Sequence, residues 1–195
     1  MANILKGFLP NFKIHKVCAT DDLRPAMSYV FFKDGNAYAT DAHNAVSAPL
    51  STISNFTDEE KELLEGKVIH GSQFAKLLTM RNVEIELLGE ILCFLCYTKE
   101  DETVIIPILD EEIIGKFPNV EGVINKAEKE AKDEKLPVNM VCLNARSLSS
   151  LASAINANII HFYFTHANHA IVVRNAEYPE IRAIMMPCLI EDPKF

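Results

Sequence analysis

Apolar and polar residues alternate with a period of two along most of this chain, interrupted by turn residues and by short runs with helical spacing. The pattern recurs about three times. Each unit reads as an apolar strand, a polar residue opening a short helix, and then alternating strands. The first is "HKVCATDDLRPAMSYVFFKDGNAYATDAHNAV". There Asp21 or Asp22 caps a helix that carries Pro25 in its first turn, and "VFFKDGNAYAT" is a hairpin turning at Asp34-Gly35.

The second unit is "KVIHGSQFAKLLTMRNVEIELLGEILCFLCY". Ser72 is its N-cap, Phe74, Leu77 and Leu78 form the apolar helix face, and the hairpin turns at Gly89-Glu90. "ETVIIPIL" adds one more strand. The third is "NMVCLNARSLSSLASAINANIIHFYFTHANHAIVVRN", with Leu148, Leu151, Ala152 and Ile155 on one helix face and a hairpin after them. The pattern predicts an α+β fold of antiparallel sheets with short helices packed on one face.

Two polar stretches separate the units. "TDEEKELLEGK" predicts a short capped helix between the first and second. "NKAEKEAKDEKLP", polar on every side, predicts a solvated helix or linker. This divides the chain into residues 1–124 with two units, a polar linker at 125–137, and residues 138–195 with a third unit.

Charge changes the functional picture. The chain of 195 residues has a formal net charge of -8, so its overall field does not steer it onto nucleic acid. Any DNA contact needs a locally basic surface. The 5 cysteines have no framework spacing, no stretch is long and apolar enough to span a bilayer, and a cytoplasmic location is expected.

Several words in the pattern resemble the bacterial DNA polymerase sliding clamp, the beta subunit of the replicative polymerase. "DDLRPAMSYVFF" with "AYATDAHNAV" is similar to that family's middle-domain opening, whose strand ends in Ala-Thr-Asp-Gly-His-Arg. "GKFPNVEGVI" resembles the Gly-Lys-Phe-Pro-Asp-Tyr segment that closes the middle domain. "AIMMPCLI" resembles the Val-Met-Pro-Met-Arg-Leu ending of the last. The three words stand in the family's order, and together they cover one middle domain and the second half of the last.

The resemblance implies a DNA-clamp-like fold and a non-enzymatic role as a replication processivity factor or scaffold. Double-stranded DNA would be met without sequence preference by basic side chains on the helices: Arg24 on the first, Lys76 and Arg81 on the second, Arg146 on the third. Polymerases or other replication proteins would dock short peptide tails in an apolar groove. Its implied wall is Met27, Thr40, His43, Asn44, Ala45, Pro118, Val123, Asn144, Met185, Met186, Pro187, Cys188 and Leu189. Asn44 and Leu189 stand where the family has arginine. A family ring contains many more units than this chain, so closure would take a homo-oligomer. The alternative is a peptide-binding adaptor of clamp fold that encircles no DNA.

Other constellations point away from chemistry. Cys93 and Cys96 form a C-x-x-C inside an alternating strand, where their spacing sends them to opposite faces; buried structural thiols are expected. His161, His166 and His169 gather around the last hairpin without a carboxylate motif, so no metal site is expected. Phosphate loops and serine elbows are absent from the sequence, so neither a nucleotide cofactor nor a serine nucleophile is expected. Asp41 and His43 share a strand face, bordering the groove rather than forming a catalytic pair. An enzyme built on Cys93 or His43 is the remaining reading.

Overall fold

Each alternating run folds against its neighbour because a turn that fits the strand twist lies between them. The structure, a computed structural model, describes residues 6–21, 23–133, 141–164 and 168–189. Strands β1 (Tyr29–Lys33) and β2 (Asn36–Thr40) meet at Asp34 and Gly35, with φ of 48° and 70°. Two successive left-handed residues are what a two-residue hairpin turn requires. β3 (Asn44–Pro49) returns along β2, and α1 (Leu50–Ile53) and α2 (Asp58–Leu63) follow. At the start of α2 the Thr57 hydroxyl accepts from the Glu60 amide while the Glu60 carboxylate accepts from the Thr57 amide, a reciprocal cap.

β4 (Lys67–His70) then enters α3 (Gly71–Leu77). The N-cap of α3 is His70, whose side chain accepts from the Ser72 amide, and not Ser72 as the pattern predicts. β5 (Asn82–Leu88), β6 (Ile91–Tyr97), β7 (Thr103–Pro107) and the short β8 (Leu109–Asp110) come next, then α4 (Glu111–Ile114) and α5 (Val120–Asp133). The last unit is α6 (Ala145–Ala154), β9 (Ile160–Tyr163), β10 (Ile171–Asn175) and β11 (Arg182–Met185).

The strands make two antiparallel sheets. One has eight strands in the order β8-β4-β1-β2-β3-β11-β10-β9, and the other has three, β5-β6-β7. The large sheet is assembled from all three units, and its seam is the β3–β11 ladder, where Ala45 faces Ile184 and Asn44 faces Met185.

One face of the large sheet and the inner face of the small sheet enclose the main core. Val30, Phe32, Val46, Ile171 and Val173 contribute from one side, and Val83, Ile85, Phe94 and Ile106 from the other. Phe8 sits at the centre, its ring against those of Phe32, Phe56, Phe74 and Phe94 at centroid distances of 4.8–5.9 Å. The N-terminal segment that carries Phe8 is stitched in on both sides. Lys6 bridges to Asn82 beside β5, and Phe8 bridges to Ser54. Gly7 between them has φ of 131°, and a Cβ there would lie 3.0 Å from Cβ of Val83, so only glycine lets the segment lie this close.

The helices of the repeated unit share a side. A 3-10 turn at Ile14–Val17, α3 and α6 bury Ile14, Val17, Phe74, Leu77, Leu151 and Ile155 in the main core. The first unit therefore uses residues 14–17 as its helix. The segment after Asp21 forms only a 3-10 turn, Pro25–Ser28, whose N-cap position is Arg24; Asp22 lies outside the described residues.

α5 is the main departure from the sequence pattern. Where a solvated helix or linker is expected from residue 125, Val120–Asp133 is one helix that buries Val120, Ile124 and Ala127 against the opposite face of the large sheet. It packs there with Phe31, Tyr38, Ala45, Val172 and Ile184. Its polar side is anchored too. Arg182 donates to Glu121 at 2.8 Å, Glu128 at 3.0 Å and Asn125 at 2.9 Å, and Arg174 pairs with Glu128. Burial alone would lower the Arg182 pKa, but Glu121 and Glu128 outweigh it and hold the guanidinium above its ordinary value. α5 thus braces both sides of the β3–β11 seam.

Candidate functional site

The described helical layer is locally basic in an acidic chain. Lys13 is the N-cap of the Ile14–Val17 turn and Lys16 lies within it, Lys76 lies in the last turn of α3 and Arg146 in the first turn of α6, all exposed. Neither these three elements nor the residues immediately preceding them contain a carboxylate. None of the four cations makes an ion pair among the described residues, and Lys16 reaches only the Ser153 hydroxyl at 3.3 Å.

The sequence-derived basic set is only partly on these helices. Lys76 and Arg146 are. Arg81 lies beyond α3, immediately before β5, and its guanidinium pairs with Asp101 at 3.0 Å. Arg24 is exposed at the N-cap of the Pro25–Ser28 turn, beside the turn in which Asp21 accepts from the Leu23 amide. Lys13 and Lys16 escape the sequence reading because the first helix was placed after Asp21. The missed signal is the apolar pair Ile14 and Val17, three residues apart and both buried.

His15, between the two lysines, is half-buried with its ring 6.1 Å from that of Phe74 and its Nδ1 without a hydrogen bond. Burial first, then Lys16 and Lys13, push its pKa below the ordinary 6.5. A depressed histidine binds its proton more tightly in the unfolded chain, so this contribution to stability is complete above about pH 6.5 and fades as the pH falls below it. His15→Leu is expected to reduce the loss of urea-midpoint stability between about pH 7.5 and about pH 5.5; an unchanged pH dependence would refute this assignment.

The seam gathers part of the implied groove. The β3–β11 register sets Asn44 opposite Met185, and the Met186 amide donates to the His43 carbonyl at 2.7 Å. Cys188 continues the same edge, its amide donating to the Cys142 carbonyl at 2.8 Å, two residues before Asn144. Asn144 is spent as the N-cap of α6, accepting from the Arg146 and Ser147 amides.

Burial sorts these residues. Thr40, Asn44, Ala45, Met185 and Pro187 are buried, and Met185 belongs to the main core with 1% exposure, out of reach of a partner. Accessible at the seam are His43, Met186 (40% exposed), Cys188 and Leu189 (82%). The other implied residues lie on separate elements. Met27 is half-buried in the Pro25–Ser28 turn, and Val123 is exposed on α5. Pro118 lines a cleft of about 830 Å³ floored by Phe31, Tyr38 and Phe117.

Asp41 has a structural task. Its Oδ1 accepts from the His43 amide at 2.9 Å and the Asn44 amide at 2.6 Å, and its Oδ2 accepts from the Asn44 side-chain amide at 3.0 Å. Thr40 closes the same turn, donating to the Asn44 carbonyl and accepting from the Ala42 amide. This leaves Oδ1 of Asn44 buried without a hydrogen bond. The turn also forces Ala42 to φ of 72°, where a Cβ is disfavoured and where the resembling family motif carries glycine. Ala42→Gly is expected to raise stability by about 1 kcal/mol in denaturant unfolding; a loss of stability would contradict the strain.

The two cysteines of the C-x-x-C are packed in the interior. Cys96 lies in the main core and Cys93 is buried on the other side of β6, with its Sγ near the Glu86 carbonyl. Burial raises both thiol pKa values, that of Cys96 to about 12. Among the described residues no three metal-ligating side chains gather; His161 and His169 lie around β9 and β10, and His166 is outside the described residues. Among the described residues no helix is long and apolar enough to cross a membrane.

Three strand–helix–hairpin units, their helices packed together and their strands joined into antiparallel sheets, make this a DNA-clamp fold. Comparison with solved structures gives the same result. The chain is similar to the DnaN sliding clamp (DNA polymerase III subunit beta) of Bartonella birtlesii, with a TM-score of 0.59 and 14% identity over 95% of this chain and 66% of that one. The C. crescentus beta sliding clamp gives 0.60 and 12%, over 95% and 65%, and the Thermotoga maritima beta subunit 0.57 and 13%, over 96% and 65%. The chain thus spans about two thirds of the length of these clamps. No family model matches it, and no curated protein matches it in sequence.

Proposed function

We propose that this chain is a non-enzymatic, sliding-clamp-like factor of DNA replication that holds duplex DNA against its helical layer and receives short peptide tails of polymerase-type partners at the β3–β11 seam. The observation that carries the proposal is the charge segregation: Lys13, Lys16, Lys76 and Arg146 with no carboxylate on their elements, in a chain of net charge -8. An acidic protein that meets phosphates needs such a local exception. Several copies would close around the duplex, in a reducing, cytoplasmic setting.

The accessible seam residues His43, Met186 and Leu189 would contact the tail. Methionine suits a surface that receives more than one sequence. Met27, Pro118 and Val123 would extend the contact.

Retention on nicked circular DNA that is lost on linearisation is the decisive measurement. With four phosphate contacts per chain, log K should fall against log salt with a slope of about -3.6 for each chain in the assembly, and Lys76→Ala with Arg146→Ala should flatten it by about 2 per chain. DNA binding that is absent or insensitive to these changes overturns the DNA part. Retained partner-peptide binding that weakens in Met186→Ala would then support the adaptor reading, which the exposed apolar residues at the seam favour on their own.

A further inference from the structure

Cys142 and Cys188 are directly opposite each other in an isolated antiparallel bridge, with the Cys188 amide on the Cys142 carbonyl at 2.8 Å. Both thiols are free. Opposed residues of an antiparallel pair project to the same side of the ladder, with Cα atoms about 5.5 Å apart when they share hydrogen bonds. Disulfides span Cα separations of about 4.4–6.8 Å, so the backbone pairing already supplies the required distance. Hydrogen-bonded partners hold their Cβ atoms about 5.5 Å apart, so bringing them to about 3.8 Å takes a shift of about 1.7 Å.

The other three cysteines are in different positions. Cys18, Cys93 and Cys96 are buried, and burial drives the Cys18 and Cys96 thiols up to about 12. Cys188 is exposed and Cys142 partly so. An oxidant in solution therefore reaches the bridged pair and not the core thiols.

We infer that Cys142 and Cys188 form a reversible intramolecular disulfide that fastens the end of the β11 segment to the chain entering α6. With a hydroperoxide as oxidant, the Cys188 thiolate attacks the peroxide oxygen, the O–O bond breaks, and a sulfenic acid and one water are produced. The Cys142 thiolate then attacks that sulfur and displaces the hydroxyl, which leaves as a second water. Two thiols lose two electrons and two protons, and the peroxide is reduced to two waters. A dithiol reverses the step by exchange.

The bond would fix the chain between Met186 and Leu189, which are exposed on either side of Cys188. Any effect on partner tails rests on the seam proposal above; formation of the bond does not. The cross-link closes a long loop from the third helix to the end of the sheet, so the oxidised form should unfold at a temperature higher by about 5 °C or more.

Treatment of the folded protein with hydrogen peroxide, followed by mass spectrometry of alkylated fragments, tests this. The expected result is a peptide pair joined through Cys142 and Cys188 in monomeric protein, two thiols fewer per chain, and Cys18, Cys93 and Cys96 still alkylatable after unfolding. Cys142→Ser should stop the cross-link and leave Cys188 as a sulfenic or sulfinic acid, and dithiothreitol should restore both thiols in the unmutated chain. Cys188 oxidised without a bond to Cys142, or joined only to a second chain, overturns the inference. If the cross-link forms and peptide affinity is the same in both redox states, the disulfide stands and only its link to the seam fails.

Discussion

Phe8→Ala is expected to cost about 4 kcal/mol of folding stability. The side chain is 2% exposed and touches four other aromatic rings, contributed by β1, the segment after α1, α3 and β6. Its removal leaves a cavity bordered by both sheets, and rings held at these angles relax poorly into it. The bridges of Lys6 and Phe8 to Asn82 and Ser54 keep the backbone in place, so the neighbours cannot follow the lost atoms inward. Chemical unfolding of the two proteins checks this; a change below about 1.5 kcal/mol would show that the core collapses freely at this point.

Ile124→Ala should cost about 3 kcal/mol, and Arg182→Ala about 2 kcal/mol. Ile124 is fully buried between α5 and the large sheet, so its truncation opens a void. Arg182 is about a quarter exposed, which reduces the expected loss below that of a fully buried ion pair. Its removal takes away the cation paired with Glu121 and leaves Glu128 with Arg174 alone. A segment that merely linked two units would register neither change beyond about 0.5 kcal/mol in a urea titration, so the pair of variants separates a brace from a tether.

The hairpins and the short helix after Thr57 were legible because each carries its own signal. Asp34-Gly35 defines a turn, and Thr57 with Glu60 defines a cap. α5 was not legible as a packed helix, since charged residues take up half of it. Its apolar residues Val120, Ile124, Ala127 and Ala131 do fall at helical spacing, but two of them are alanines, whose small surface gives a weak signal. Arg182 and Arg174, the residues that hold its polar side, are far away in sequence, and no local pattern announces them.

The candidate site was half legible. Asn44 and Met185 do face each other, and the Met186 amide reaches the His43 carbonyl, because the family-like words mark the two strands that form the seam. Which of them a partner can touch depends on burial, and the alternation of β11 sends Ile184 and Met185 to opposite packed faces before Met186 emerges. The basic layer was misread at its first element. Asp21 and Pro25 look like a better helix start than the short Ile14–Val17 turn, yet that turn and its N-cap carry the two lysines.

The pairing of β3 with β11 also has a consequence for biosynthesis. A ribosome delivers β1, β2 and β3 in succession, but β11, the strand that satisfies the outer edge of β3, follows only after α6, β9 and β10. Until then a nascent chain displays an open row of amides and carbonyls beside apolar side chains, the kind of surface that recruits chaperones or a neighbouring polysome product. The time that translation takes to pass from β3 to β11, rather than the intrinsic rate of hairpin closure, then sets how long that edge stays open.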